Sequence, residues 1–161
     1  YDIAPGCMSD LVAERIGLKG EPLEKTASME DTVVGIGKVG DLVSAVKISE
    51  IAELIKEKFN LPHLRIFDGG EDKKVSRIAV SPGSGKGMFN AAYEKQASLL
   101  ISGDISHHDA LDALELGVAT IDAGHYGLEH IFIADMAKRL RDMDKEFTIF
   151  EEDITFPDRI A

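Results

Sequence analysis

The chain has 161 residues, 44% hydrophobic and 29% charged, the composition of one ordinary globular domain with enough apolar mass for a sizeable core. Its formal charge of -11 opposes the phosphate backbone, which proteins bind mainly through Lys and Arg, so nucleic acid is not expected as a partner. No apolar run approaches the ~20 residues that cross a bilayer and no secretory leader is seen, so a soluble, cytoplasmic protein without a membrane partner is expected; with Cys7 alone, any metal must be held by His, Asp and Glu.

The sequence begins at Tyr1 without an initiator Met and is motif-like at once, in Asp2-Ile-Ala-Pro-Gly-Cys-Met-Ser-Asp10, as in a processed or truncated chain. Met8 to Ile16 reads as a helix stopped at Gly17, and the polar stretch from Lys19 to Asp31 as a loop. Thr32-Val-Val-Gly-Ile36 reads as a strand, and Asp41 to Val46 as extended. Ile48 to Phe59 is an amphipathic helix with Ser49, Glu50 and Glu53 near its start and Lys56 and Lys58 near its end, as the helix dipole prefers. Leu64 to Phe67 is a short strand before the turn-rich Asp68-Gly-Gly-Glu-Asp-Lys-Lys74.

From residue 75 the alternation is regular. Strands are predicted at Val75 to Val80, Ala97 to Ser102, Val118 to Asp122 and Glu146 to Glu151. Helices are predicted at Met88 to Gln96, at Ser106 to Leu116 with Ser106 as N-cap and Gly117 as stop, and from about Tyr126 to Met143. That order predicts an α/β fold, a mostly parallel sheet with helices on both faces. Residues 1–74 form a less regular N-terminal portion and 75–161 the regular one, together one compact unit.

In such sheets ligands gather at the carboxyl ends of the strands, and three successive junctions there are rich in chemistry. Ser81-Pro-Gly-Ser-Gly-Lys-Gly87 is not a phosphate-binding P-loop, because Val80 and Gly87 stand where Gly and Ser/Thr are required; an anion-holding turn and a plain tight turn both remain open. Gly35-Ile-Gly-Lys-Val-Gly40 has dinucleotide-motif spacing but no helix starting within it, which favours a glycine-bulged strand or a turn. At Asp122-Ala-Gly-His-Tyr-Gly-Leu-Glu129, His125 and Glu129 stand at i, i+4 on one helix face. They are placed either as a hydrogen-bonded pair or as two ligands of an ion such as zinc, manganese, iron or nickel. His107, His108 and Asp109 occupy the neighbouring junction. His63 and His130 read as ordinary, and spacing alone gives no reason to choose a third ligand.

The run from Leu100 through Gly103-Asp-Ile-Ser-His-His-Asp-Ala-Leu-Asp-Ala-Leu-Glu-Leu-Gly117, followed by Ile121-Asp-Ala-Gly-His-Tyr-Gly-Leu-Glu129, closely resembles the C-terminal signature of the Nif-three-like family. Its members are catalogued as homologues of type-2 GTP cyclohydrolase I. Gly35 to Gly40, Ser81 to Gly85 and Asp2 to Asp10 resemble further family segments, with Cys7 and Ser9 replacing the usual Gly and Asn. The resemblance implies a two-lobed α/β fold, a ring-shaped homohexamer, and a site for two divalent metal ions with Asp2, His125 and Glu129 as ligands. It also implies His108 as a general acid/base or substrate contact near the pocket, and hydrolytic opening of a purine nucleotide, or hydrolysis of a phosphoester. The family's remaining ligands come from a His-His-Pro segment upstream of the Asp motif. Here His107-His108 is followed by Asp109, so part of the metal site is expected to be missing from this sequence. The alternative is a non-enzymatic homo-oligomeric scaffold or regulatory protein with a structural or incomplete metal site.

Overall fold

A computed structural model of the protein describes residues 1–29 and 32–156. In chain order the elements are α1 (Met8–Arg15), β1 (Gly20–Met29), β2 (Thr32–Lys47), α2 (Ile48–Phe59), β3 (Arg65–Phe67), β4 (Lys74–Ser84), α3 (Met88–Glu94), β5 (Leu99–Gly103), α4 (His107–Glu115), β6 (Ala119–Asp122), α5 (His125–Glu129) and α6 (Phe132–Met143). The strands make one sheet in the order β1-β2-β4-β5-β6-β3. Among the described residues no helix is long and apolar enough to cross a membrane.

The sheet is mixed, which corrects the mostly parallel expectation. β4 with β5 and β5 with β6 are parallel, whereas β1 with β2, β2 with β4 and β3 with β6 are antiparallel. The connection between β1 and β2 is too short for a parallel crossover, which needs a dozen or more residues. β3 crosses to the far edge and pairs there with β6, Arg65 opposite Asp122 and Phe67 opposite Thr120.

Helices do cover both faces. On one, Val12, Ile51, Ile55 and Leu128 pack with Ile78, Val80, Leu99, Ile101 and Ile121. On the other, Phe89, Ala92 and Ala113 pack with Ala79, Leu100 and Val118. The alternation along β4 and β5 sends successive side chains to opposite helical layers. α2 earns its place by the spacing of Ile48, Ile51, Ala52, Ile55 and Phe59, all buried, one apolar stripe at helical period. Its N-cap, Lys47, makes no side-chain cap bond; Asp72 substitutes, accepting from the Ser49 backbone N–H at 2.9 Å and the Ser49 hydroxyl at 3.0 Å.

Three local expectations are corrected. The stretch read as a loop from Lys19 is largely β1, an edge strand held to β2 by backbone pairing rather than by an apolar face; Glu30 and Asp31 lie outside the described residues. The long helix expected from Tyr126 divides at His130 and Ile131 into α5 and α6. Residues 146–151, read as a last strand, join no ladder; they run beside α6, where Arg141 pairs with Glu151 at 2.6 Å. Residues 157–161 of the C-terminal portion lie outside the described part.

Candidate functional site at the strand ends

Parallel pairing of β4, β5 and β6 brings their three following loops to one edge. The approach is close because glycines stand at the contacts. A Cβ on Gly103 would lie 2.4 Å from the His125 backbone nitrogen, one on Gly85 2.5 Å from Ser102 Oγ, and one on Gly83 2.9 Å from Glu129 Oε1. The first distance is far inside van der Waals contact, so β5 and the start of α5 meet as they do only with glycine at 103. Gly37, at φ +66°, plays the corresponding part on β2, where a Cβ would meet the Val80 carbonyl at 2.6 Å. The glycine segment is thus part of a strand, but it carries no bulge itself: its register is regular, and the irregularities lie between Lys25 and Ala27 on β1 and between Asp41 and Val46 on β2.

His125 opens α5 with its ring between two carboxylates: Nδ1 lies 3.0 Å from Asp104 Oδ2 and Nε2 3.1 Å from Glu129 Oε2. The i, i+4 spacing therefore does bring His125 and Glu129 into contact. A carboxylate only accepts, and a neutral imidazole carries one N–H. With Nδ1–H donated to Asp104, the Nε2 lone pair faces Glu129, and a proton or a cation is required between them. Both groups register this. Burial pulls the His125 pKa down, but the hydrogen bond to Asp104 and the charges of Glu129 and Asp104 outweigh it, and the net shift is upward. The Glu129 pKa is raised, first by burial and then by the negative charges of Asp2 and Asp104, against the lowering effect of His125.

Asp2 is exposed, and its charge reaches Glu129. Ser9 fastens this segment: its hydroxyl donates to the Asp2 carbonyl at 3.0 Å and accepts from Gly37 N–H at 3.0 Å. His108 stands apart from this pair, exposed in the first turn of α4 with its ring edge-on to His107. His130 is buried, its pKa lowered by that burial, and its ring packs edge-on to Phe59 and Phe156.

Asp104 went unselected in the sequence, although it sits in one of the three junctions. Its backbone has a left-handed φ of 53°, uncommon outside glycine but tolerated by Asp, and this feature has no signature in composition or spacing. Asp122 and Arg65 were also missed. The buried Asp122 carboxylate accepts from Ile105 N–H at 3.2 Å and Gly124 N–H at 3.0 Å and pairs with Arg65, tying the loops after β5 and β6 together beneath the site. A cavity of about 530 Å³ opens beside His125 and Asp104.

The donor chemistry fits a divalent transition metal. Imidazole with carboxylate is the right ligand type, and a carboxylate on the far ring nitrogen is the usual second partner of a metal-bound His. The 3.1 Å between Nε2 and Oε2 is less than the sum of a metal–nitrogen and a metal–oxygen bond, about 4 Å, so one ion can meet both atoms. The number of donors falls short: among the described residues no three His, Cys, Asp or Glu side chains are gathered to hold an ion.

Comparison with known proteins places the chain in a family. The sequence pattern described as Duf34/NIF3 (NGG1p interacting factor 3) matches residues 1–157. A "GTP cyclohydrolase 1 type 2 homolog" of Lactococcus lactis is 34% identical over 152 residues, 93% of this chain and 56% of that protein. A protein of the same name from Clostridium perfringens is 32% identical over 156 residues, 94% of this chain and 58% of that protein. The chain thus spans little more than half the length of these relatives. The crystal structure of a Bacillus cereus protein related to NIF3 superposes with a TM-score of 0.84 over 99% of this chain and 71% of that one, at 18% identity, which speaks to the fold.

Proposed function

The chain belongs to the Duf34/NIF3 family, and from that membership we propose that it is a metal-dependent, hydrolase-like protein whose dinuclear site draws Asp2, His125 and Glu129 from this chain. The observation that carries the reading is the imidazole of His125 held between Asp104 and Glu129 with Asp2 adding to the negative field. Negative charge exceeds positive there, and a divalent cation would offset it.

The protein's own contributions follow from the geometry. Asp104 accepts the Nδ1–H of His125, fixing the tautomer that leaves the Nε2 lone pair available to hold a metal ion. Glu129 supplies a half-buried carboxylate, and Ser9 holds the Asp2 segment against β2. When bound, divalent ions lower the pKa of a coordinated water and polarise a substrate. His108, next door on α4, is the proposed general acid/base, reaching a substrate rather than the His125 pair. The substrate class is a nucleotide, in keeping with the names of the relatives, or else a phosphoester. A two-lobed architecture, a ring-shaped hexamer and a cytoplasmic setting belong to the same reading, and light scattering on the purified protein tests the assembly.

Metal analysis of the full-length protein tests the site: about two ions per chain are expected for a dinuclear centre, with fewer in His125→Ala and Glu129→Gln. Stoichiometric metal unaffected by both substitutions removes the assignment. A second reading is favoured by the shortage of gathered ligands among the described residues: a non-enzymatic scaffold or regulatory protein with a structural or incomplete metal site. Metal-loaded protein assayed against a panel of nucleotides and phosphoesters separates the two. Turnover abolished by Glu129→Gln supports the enzyme, and no turnover across the panel supports the scaffold.

A further inference from the structure

The cavity beside His125 holds chemistry that the metal pair does not use. At about 530 Å³ it falls within the range of small-molecule sites, roughly 300–1,000 Å³. Asp104, His125 and Arg65 of β3 line it, and Leu61, Tyr126 and Phe156 supply apolar surface. The Tyr126 and Phe156 rings meet edge to face, with centroids 5.7 Å apart.

Among the described residues that line the cavity, Arg65 alone carries a permanent positive charge, and its head is fixed in place. Nη2 donates to the Ile105 carbonyl at 3.0 Å and pairs with the buried Asp122 carboxylate, while the guanidinium lies over Phe67, its Cζ 5.5 Å from the ring centroid. A guanidinium carries five N–H donors, and those on Nε and Nη1 have no hydrogen-bond partner among the described residues. The side chain remains 55% exposed. A planar fork held at one corner, with its other donors unpaired among the described residues, is the arrangement that recognises carboxylate and phosphate. Asp122 already offsets the charge of Arg65, so recognition here works through directed donors rather than bulk attraction.

We propose that this cavity is a binding subsite for a planar aromatic anion, its carboxylate or phosphate taken by Arg65 and its ring lying against Tyr126 and Phe156. The subsite deepens the hydrolase reading and rests on it only for the end of the ligand that reacts, which faces His125. Arg65 is then a specificity-determining residue, selecting anionic over neutral rings.

Calorimetry on the chelator-treated full chain tests this with two matched pairs, guanosine 5′-monophosphate against guanosine and orotate against uracil, with inorganic phosphate as a fifth probe. At least one anionic member is expected to bind more than about tenfold tighter than its neutral counterpart, the scale of a charge-assisted fork. Which pair shows the advantage tells phosphate from carboxylate. That advantage is lost in Arg65→Gln and also in Arg65→Lys, which keeps a cation beside Asp122 and so guards against a folding artefact; Tyr126→Ala weakens charged and neutral members alike. The proposal is overturned if neither anion binds, if Arg65→Lys retains the advantage, or if phosphate alone binds as tightly as the ring-bearing anions. Because the calorimetry is run without metal, the two readings fail separately: metal content unchanged in His125→Ala and Glu129→Gln with ring binding intact sinks the metal reading and leaves this one, whereas metal lost in those variants with no anion bound by the unsubstituted chain overturns this one and leaves the metal reading.

Discussion

Strand β5 is buried at all five positions between two helical layers, whereas β2 runs sixteen residues with exposed positions at both ends and β1 beyond it is mostly exposed. The difference lies in the connections. Parallel strands need helical crossovers, and the crossovers bury both faces and return every following loop to the same edge. An antiparallel pair needs neither. Chemistry therefore collects on the β4-β5-β6 side, and the β1-β2 side contributes mainly the Gly37 backbone that anchors Ser9 and, through it, the Asp2 segment.

The sharpest way to break this contrast is to truncate one side chain in each half. Ile101 on β5 is fully buried, and Ile101→Ala is expected to cost about 2–5 kcal/mol of unfolding free energy. Val33 on β2 is 43% exposed, and Val33→Ala should change stability by no more than about 0.5 kcal/mol. Urea unfolding of both measures the gap, and equal costs would erase the distinction.

A smaller effect is expected at the helix that borders the site. The Ser106 hydroxyl accepts from the Asp109 backbone N–H at 3.0 Å, and Ser106→Ala should lose about 1 kcal/mol. A loss within error would mean that the parallel half tolerates a missing cap as the other half tolerates a missing methyl.

The smallest effect belongs to the cap on α2 and is pH-dependent. Hydrogen bonds from the Ser49 backbone and hydroxyl, with Lys47 nearby, hold the Asp72 carboxyl below its ordinary value. A carboxylate depressed on folding adds stability that is present above its unfolded pKa and fades as pH falls through the folded one. Asp72→Asn should therefore melt below the wild type at about pH 7, with the gap closing once pH drops below roughly 3.9. Melting curves across that range check the direction; a gap that widens in acid would refute it.

The sequence was most legible where burial dictates pattern. β4 through α4 follow apolar strands and amphipathic helices at the expected places, and His125 with Glu129 could be paired from spacing alone. β1 was illegible because Glu21, Glu24, Lys25 and Thr26 are exposed, so its strand character rests on backbone pairing with no apolar stripe to signal it. The 146–151 stretch failed the other way: its Phe and Ile residues suggest a strand, but no sheet edge receives them. No Gly or Pro marks the division between α5 and α6. Asp104, Asp122 and Arg65 escaped notice because the pairings that join them to other loops and strands span 17 to 57 residues of sequence, and a local pattern does not encode such pairings.

The glycines at 83, 85 and 103 have a consequence for how this edge can vary. They shape the site by the absence of atoms, so the space around His125 and Glu129 is a mould whose walls have no slack. A side chain added at 103 has only backbone to push against, and the two loops would have to separate. Variation in what the protein handles then falls to lining positions whose side chains are at least partly exposed, Tyr126, Phe156 and Arg65. The backbone contact is cast, and the side-chain lining is open to revision.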